Sequence, residues 1–137
     1  MFSGCVSLTS MNISHFDTSK VTNMKYMFSS CTSLTSLDLH NFNTSNVVNM
    51  NHLFSFCSSL ISLNISSFNT SKADSLNFMF RNCTSLTSIN LSNFDISNVR
   101  SIGGLFAGCD NLTSINISHF NTSRAILMNS MFYNCFR

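Results

Sequence analysis

The sequence predicts an α/β solenoid, a right-handed coil with one short parallel strand and one short helix in every 26-residue repeat. Three observations predict it. All six cysteines, Cys5, Cys31, Cys57, Cys83, Cys109 and Cys135, follow one another at that single interval, without insertion or deletion. Two phenylalanine columns keep the same interval, one from Phe2 to Phe132 and one from Phe16 to Phe120. Within each interval an alternating apolar stretch is followed by apolar residues three and four apart. A fixed period of this length marks a repeat architecture, whose units bury their apolar faces only by stacking. The 137 residues then form a single repeat domain, 1–137, of five full repeats and a truncated sixth over 131–137.

The strand comes first in each unit. In Leu34-Thr-Ser-Leu-Asp-Leu-His-Asn-Phe42, Leu37 and Leu39 alternate with Ser36, Asp38 and His40. Alternation of period two predicts a strand with one buried face, here over Ser36 to His40. Successive strands are each followed by a long return path, so they stack in parallel, and such crossovers are right-handed. Asn43-Thr44-Ser45 then supplies turn and capping chemistry. Val47, Met50, Leu53, Phe54 and Cys57 recur at helical spacing, which predicts a return helix of about two to three turns. Its β-branched residues and asparagines are poor helix formers, and Gly103-Gly104 weakens the fourth copy further.

Composition limits the function. Charged residues make up 9% of the chain, far below the roughly 25% of an ordinary domain. The polar surface is therefore Ser, Thr and Asn. A net charge of +2 gives no general attraction to nucleic acid or anionic lipid. No apolar run approaches the ~18 residues of a membrane span, so this segment inserts into no membrane. Met1-Phe2-Ser3-Gly4-Cys5 lacks the basic start and apolar stretch of a secretory signal. The chain reads as cytosolic, or as an excerpt of a longer secreted protein.

Three polar columns flank the predicted strand and project from its outer side. They include Ser10, Ser36, Ser62, Ser88 and Ser114; Asn12, Asp38, Asn64, Asn90 and Asn116; and His40 in the third. This flat hydrogen-bonding surface is the candidate binding face, for a protein or glycan ligand. The same columns also serve to solvate the sheet and tie its strands together. The cysteine column reads as buried free thiols acting as small apolar residues. A metal needs converging ligands, whereas a column spreads them along a line. The four histidines, His15, His40, His52 and His119, form no metal pair. Lys20, Lys72 and Arg124 share a basic column, read as solvated charge. No Gly-x-Ser-x-Gly and no phosphate-binding glycine loop occurs. The expectation is a non-enzyme without a cofactor.

Leu34-Thr-Ser-Leu37-Asp-Leu39 and Leu86-Thr-Ser-Ile89-Asn-Leu91 match the L-x-x-L-x-L core of leucine-rich repeats, with Phe replacing the usual Asn or Cys that follows. The longer string from Met27 to Met50, Met-Phe-x-x-Cys-x-Ser-Leu-Thr-Ser-Leu-Asp-Leu-x-x-Phe-Asn-Thr-Ser-x-Val-x-x-Met, resembles the repeat of BspA-like leucine-rich-repeat surface proteins. The resemblance covers the whole chain. It implies a cell-surface, adhesin-like protein and carries over no catalytic residue. A second class of function remains open: a structural solenoid whose partners are further copies of itself. Apolar columns run uncapped into Met1-Phe2 and into Tyr133, Cys135 and Phe136, which reads as a surface for end-to-end stacking.

Overall fold

A computed structural model describes residues 1–135. Phe136 and Arg137, in the predicted sixth repeat, lie outside the described residues. Every coil meets the next in register. On one side β1 (Ser36–Asp38) pairs in parallel with β2 (Ser62–Asn64), Leu37 opposite Leu63. On the return side a chain of parallel bridges runs Asn23, Asn49, Ser75, Ser101, Leu127. Each residue thus faces its own counterpart one repeat on.

The predicted return helix is not there. Among the described residues no segment is helical, and the two short strands are the only regular elements. The α/β assignment is therefore wrong. The return path is a run of hydrogen-bonded turns whose N–H groups alternate in direction. Leu53, Ser55 and Cys57 donate backward to Met50, His52 and Phe54 within the coil (all 3.2 Å). Met50, His52, Phe54 and Phe56 donate outward to Ser75, Asn77, Met79 and Arg81 of the next coil (2.7–3.1 Å). Two residues of each such stretch take positive φ, here His52 (56°) and Phe56 (62°), a conformation that ends any α-helix.

The physical reason is spacing. Coils paired as strands lie about 4.8 Å apart, whereas an α-helix with its side chains is about 10 Å across. A helix on the return side would spread the stack there and break the outward bonds. Apolar residues three apart are common to a helix and to consecutive turns closed between residues i and i+3, so the pattern alone did not separate them.

The predicted strand is also shorter than Ser36 to His40, and only the second and third repeats form one. The corresponding stretches around Ser10, Ser88 and Ser114 carry sparser bonds, such as Thr113 N–H to the Thr87 carbonyl (3.1 Å). Each stretch is cut off by its own asparagine or aspartate. The side-chain oxygens of Asp38 and Asn64 accept the N–H of His40 and Ser66 (3.0 and 3.2 Å), which bends the chain.

The core lies between the two sides. Phe2, Phe28, Phe54, Phe80, Phe106 and Phe132 form a continuous stack, with centroids 5.5–5.7 Å apart and planes within 13° of parallel. Phe42, Phe68 and Phe94 form a second buried column beside it, Phe68 and Phe94 at 6.5 Å. Leu34, Leu60, Leu86 and Leu112 fill the remaining width. Buried threonines tie coil to coil: Thr44 Oγ1 donates to the Asn69 carbonyl (2.9 Å) and accepts from the Asn69 N–H (2.7 Å). Circular dichroism of the purified protein should lack the double minimum of an α-helix. Phe54→Ala removes a fully buried ring stacked on both faces, so it should lower unfolding free energy by about 3–5 kcal/mol in chemical denaturation. An unchanged midpoint would show that the ring is not core.

Candidate functional site

The polar columns lie at the surface, and only two of their repeats form strands. Ser10, Ser36, Ser62, Ser88 and Ser114 are all exposed, as are Asn12, Asp38, Asn64, Asn90, Asn116 and His40. The two columns differ in chemistry. In every repeat the Asn or Asp oxygen accepts from the backbone two residues on, as in Ser14 N–H to Asn12 Oδ1 (3.1 Å) and Ser118 N–H to Asn116 Oδ1 (3.1 Å). Those oxygens are committed to shaping the coil. The serine hydroxyls make no hydrogen bond among the described residues, so one uncommitted hydroxyl per coil faces solvent.

One point on this face stands apart. His40 Nδ1 lies 2.9 Å from Asp38 Oδ1. The backbone N–H and ring of His40 hold the Asp38 carboxyl below the ordinary carboxylate range. Both side chains are exposed, so the pair adds little to stability. They border a depression of about 240 Å³ with Asn12 and Ser14. It is the only place on the sheet face where an acidic group joins the neutral columns.

The cysteines are structural. All six are unpaired, and all but Cys5 are buried. Each thiol from Cys31 onward donates to the carbonyl of the phenylalanine 29 residues before it, as in Cys57 Sγ to Phe28 O (3.1 Å) and Cys83 Sγ to Phe54 O (3.2 Å). The same carbonyl already takes a backbone N–H from its own coil, Cys31 N–H to Phe28 O (3.4 Å). A sulfhydryl therefore fills the second lone pair where water cannot reach. Burial pushes the Cys57 and Cys109 thiols up to about 12. No group of three or more metal-binding side chains converges among the described residues.

The basic column is tied down too. Lys72 Nζ donates to Asn46 Oδ1 and Arg124 Nη1 to Asn98 Oδ1, both at 2.8 Å, so each cation leans on the asparagine one coil before it. Arg100 pairs with Asp74 at 3.2 Å.

Sequence reasoning missed the turn face. Its outward positions are the two positive-φ sites of each return path. Three repeats place bulky rings there: Tyr26 (φ 60°), His52, Phe56 and Phe78 (φ 57°). Tyr26, His52 and Phe78 stack at 4.7 and 5.0 Å. Lys25 lies over Tyr26, and Arg81 lies over both Phe56 and Phe78 (5.4 and 5.3 Å). The legible signal was that Gly4, Gly104 and Gly108 occupy the same two columns, as expected where the backbone is left-handed.

The sequence matches the family described as Mycoplasma protein of unknown function, DUF285, over residues 1–86 and again over 56–137. No curated protein and no solved structure matches the chain. If the thiols sit as described, labelling of Cys31, Cys57, Cys83 and Cys109 in the native state should be slow and become rapid on unfolding. Rapid native labelling of these four would contradict their burial.

Proposed function

The chain belongs to the DUF285 family, and from that premise we propose that it is a non-catalytic interaction module of a BspA-like leucine-rich-repeat surface protein, binding a protein or glycan through its sheet face. The observation that carries this reading is the row of exposed, uncommitted hydroxyls, Ser10, Ser36, Ser62, Ser88 and Ser114, repeated at coil spacing. With so little charge nearby, such a row favours a ligand rich in neutral hydrogen-bonding groups and presents it with a regular lattice. Stacked repeats commonly use an extended face of this kind for binding. The proposed setting is extracellular or at the cell surface.

The reading is tested on a glycan array and a panel of purified matrix glycoproteins. Ser62→Arg with Ser88→Arg places two long cations on the face without touching the core. It should weaken any ligand found by at least tenfold while leaving the melting temperature nearly unchanged, since exposed substitutions cost little. A ligand held equally well by the double variant would remove the sheet face from the interaction.

A further inference from the structure

We propose that the turn face carries a second binding site, a notch that takes a carboxylate-bearing saccharide. The notch has a volume of about 400 Å³. One wall is Phe78, Arg81 and Asn82; the other, two coils further on, is Ser130, Tyr133 and Asn134. The coil between them supplies the floor through Ala107 and Gly108, at positions where other repeats carry rings, amides or hydroxyls. The walls stand about 10 Å apart, two strand spacings, which suits a single six-membered ring.

The floor is held in shape by its neighbours. Gly104 and Gly108 N–H groups donate to Asn129 and Tyr133 carbonyls (2.9 and 2.8 Å), and Asn82 N–H donates to Ala107 O (2.8 Å). Both glycines have positive φ, 59° and 73°. A methyl group on Gly104 would come within 2.3 Å of the Phe78 ring, and one on Gly108 within 2.9 Å of the Asn82 amide. The Phe78 ring and the Asn82 amide therefore rest directly on the glycine backbone, which is buried beneath them.

The lining selects the ligand. Tyr133, which is exposed, offers ring surface to the C–H face of a pyranose. Asn82, Asn134, Ser130 and the Tyr133 hydroxyl offer neutral donors and acceptors to its hydroxyl groups. Among the described residues Arg81 is the single charged residue of the notch. Its guanidinium is held against Phe56 and Phe78, its Nε donates to Asn82 Oδ1 at 3.2 Å, and it has no carboxylate partner among the described residues. A guanidinium fork without a partner fits a carboxylate. One fork matches one acidic group, and a net charge of +2 does not suit the successive phosphates of a nucleic acid. The cost of holding Phe78 in a left-handed backbone is of the kind that collects at ligand sites.

The test uses the full chain and a glucuronate-containing tetrasaccharide, followed by two-dimensional NMR. A carboxyl-reduced, neutral form of the same tetrasaccharide is the control. Amide shifts should appear in 78–82 and 130–134, and the acidic probe should bind about tenfold tighter than the neutral one, the effect of one charge-assisted pair. Arg81→Gln should abolish that preference, and Tyr133→Ala should weaken both probes. Absence of shifts at the notch up to the probe's solubility limit would overturn the proposal, as would equal affinity for the two probes. Shifts confined to Ser36–Asp38 and Ser62–Asn64 would assign the saccharide to the sheet face and leave the notch empty of function.

Discussion

Everything in this molecule depends on registering each coil against the next, through a regular backbone ladder on the return side and sparser bonds on the strand side. The return path would be the natural place to relax that constraint, and it does not. Its outward N–H groups bond to the following coil from Met24, Tyr26, Phe2 and Gly4 onward, repeat after repeat. A pitch near 4.8 Å then dictates the interior. Phenylalanine rings stack almost parallel at 5.5–5.7 Å, because flat rings are the large apolar groups that fit so short a repeat without interleaving. The small thiol completes the coordination of a carbonyl that the same pitch leaves with a bare lone pair. Side chains that would need more room, a helix among them, are excluded by the hydrogen bonds rather than by their own propensities.

Much of this was legible in the sequence, and what was not has a definite cause. The period, the two aromatic columns, the buried thiols and the outward polar columns all follow from identity at a fixed interval, which needs no assumption about backbone shape. The backbone of the return path does need one. Val47, Met50, Leu53, Phe54 and Cys57 satisfy a helix of 3.6 residues per turn and a run of three-residue turns about equally well. The discriminating information lay in the outward residues. Glycine at positions 4, 104 and 108, and asparagine at 82 and 134, fall into two columns four residues apart. A helix interior does not recruit such residues periodically, whereas a left-handed position does. Taking Gly103-Gly104 as a local weakness hid that it marks a regular feature.

The same columns explain why the turn face is the variable one. A left-handed position tolerates glycine without cost and asparagine at little cost, while a bulky ring there costs of order 1–3 kcal/mol. Tyr26, His52 and Phe78 recover part of it by stacking on one another. Phe56 has no aromatic neighbour in that column and is covered by Arg81 instead. Where the fourth return path gives way to Gly104 and Gly108, the rings stop and a recess opens beside the last of them.

The two faces therefore offer different kinds of recognition from one scaffold. On the sheet face the serine column never changes, and its asparagine neighbour changes only to aspartate at Asp38. Part of that uniformity is structural, because the amide or carboxylate oxygen must catch the backbone to end the strand. Apart from the Asp38–His40 pair, each coil offers the same groups as the last, which suits a ligand that repeats. On the turn face the corresponding positions run through tyrosine, histidine, phenylalanine, glycine and serine. None of these residues is needed to continue the hydrogen-bond ladder, which uses backbone alone. Selection at those positions is free to build one local shape without disturbing the period. In a stack whose core must be identical in every coil, a local shape of this kind arises where the side chain is needed neither by the core nor by the hydrogen-bond ladder.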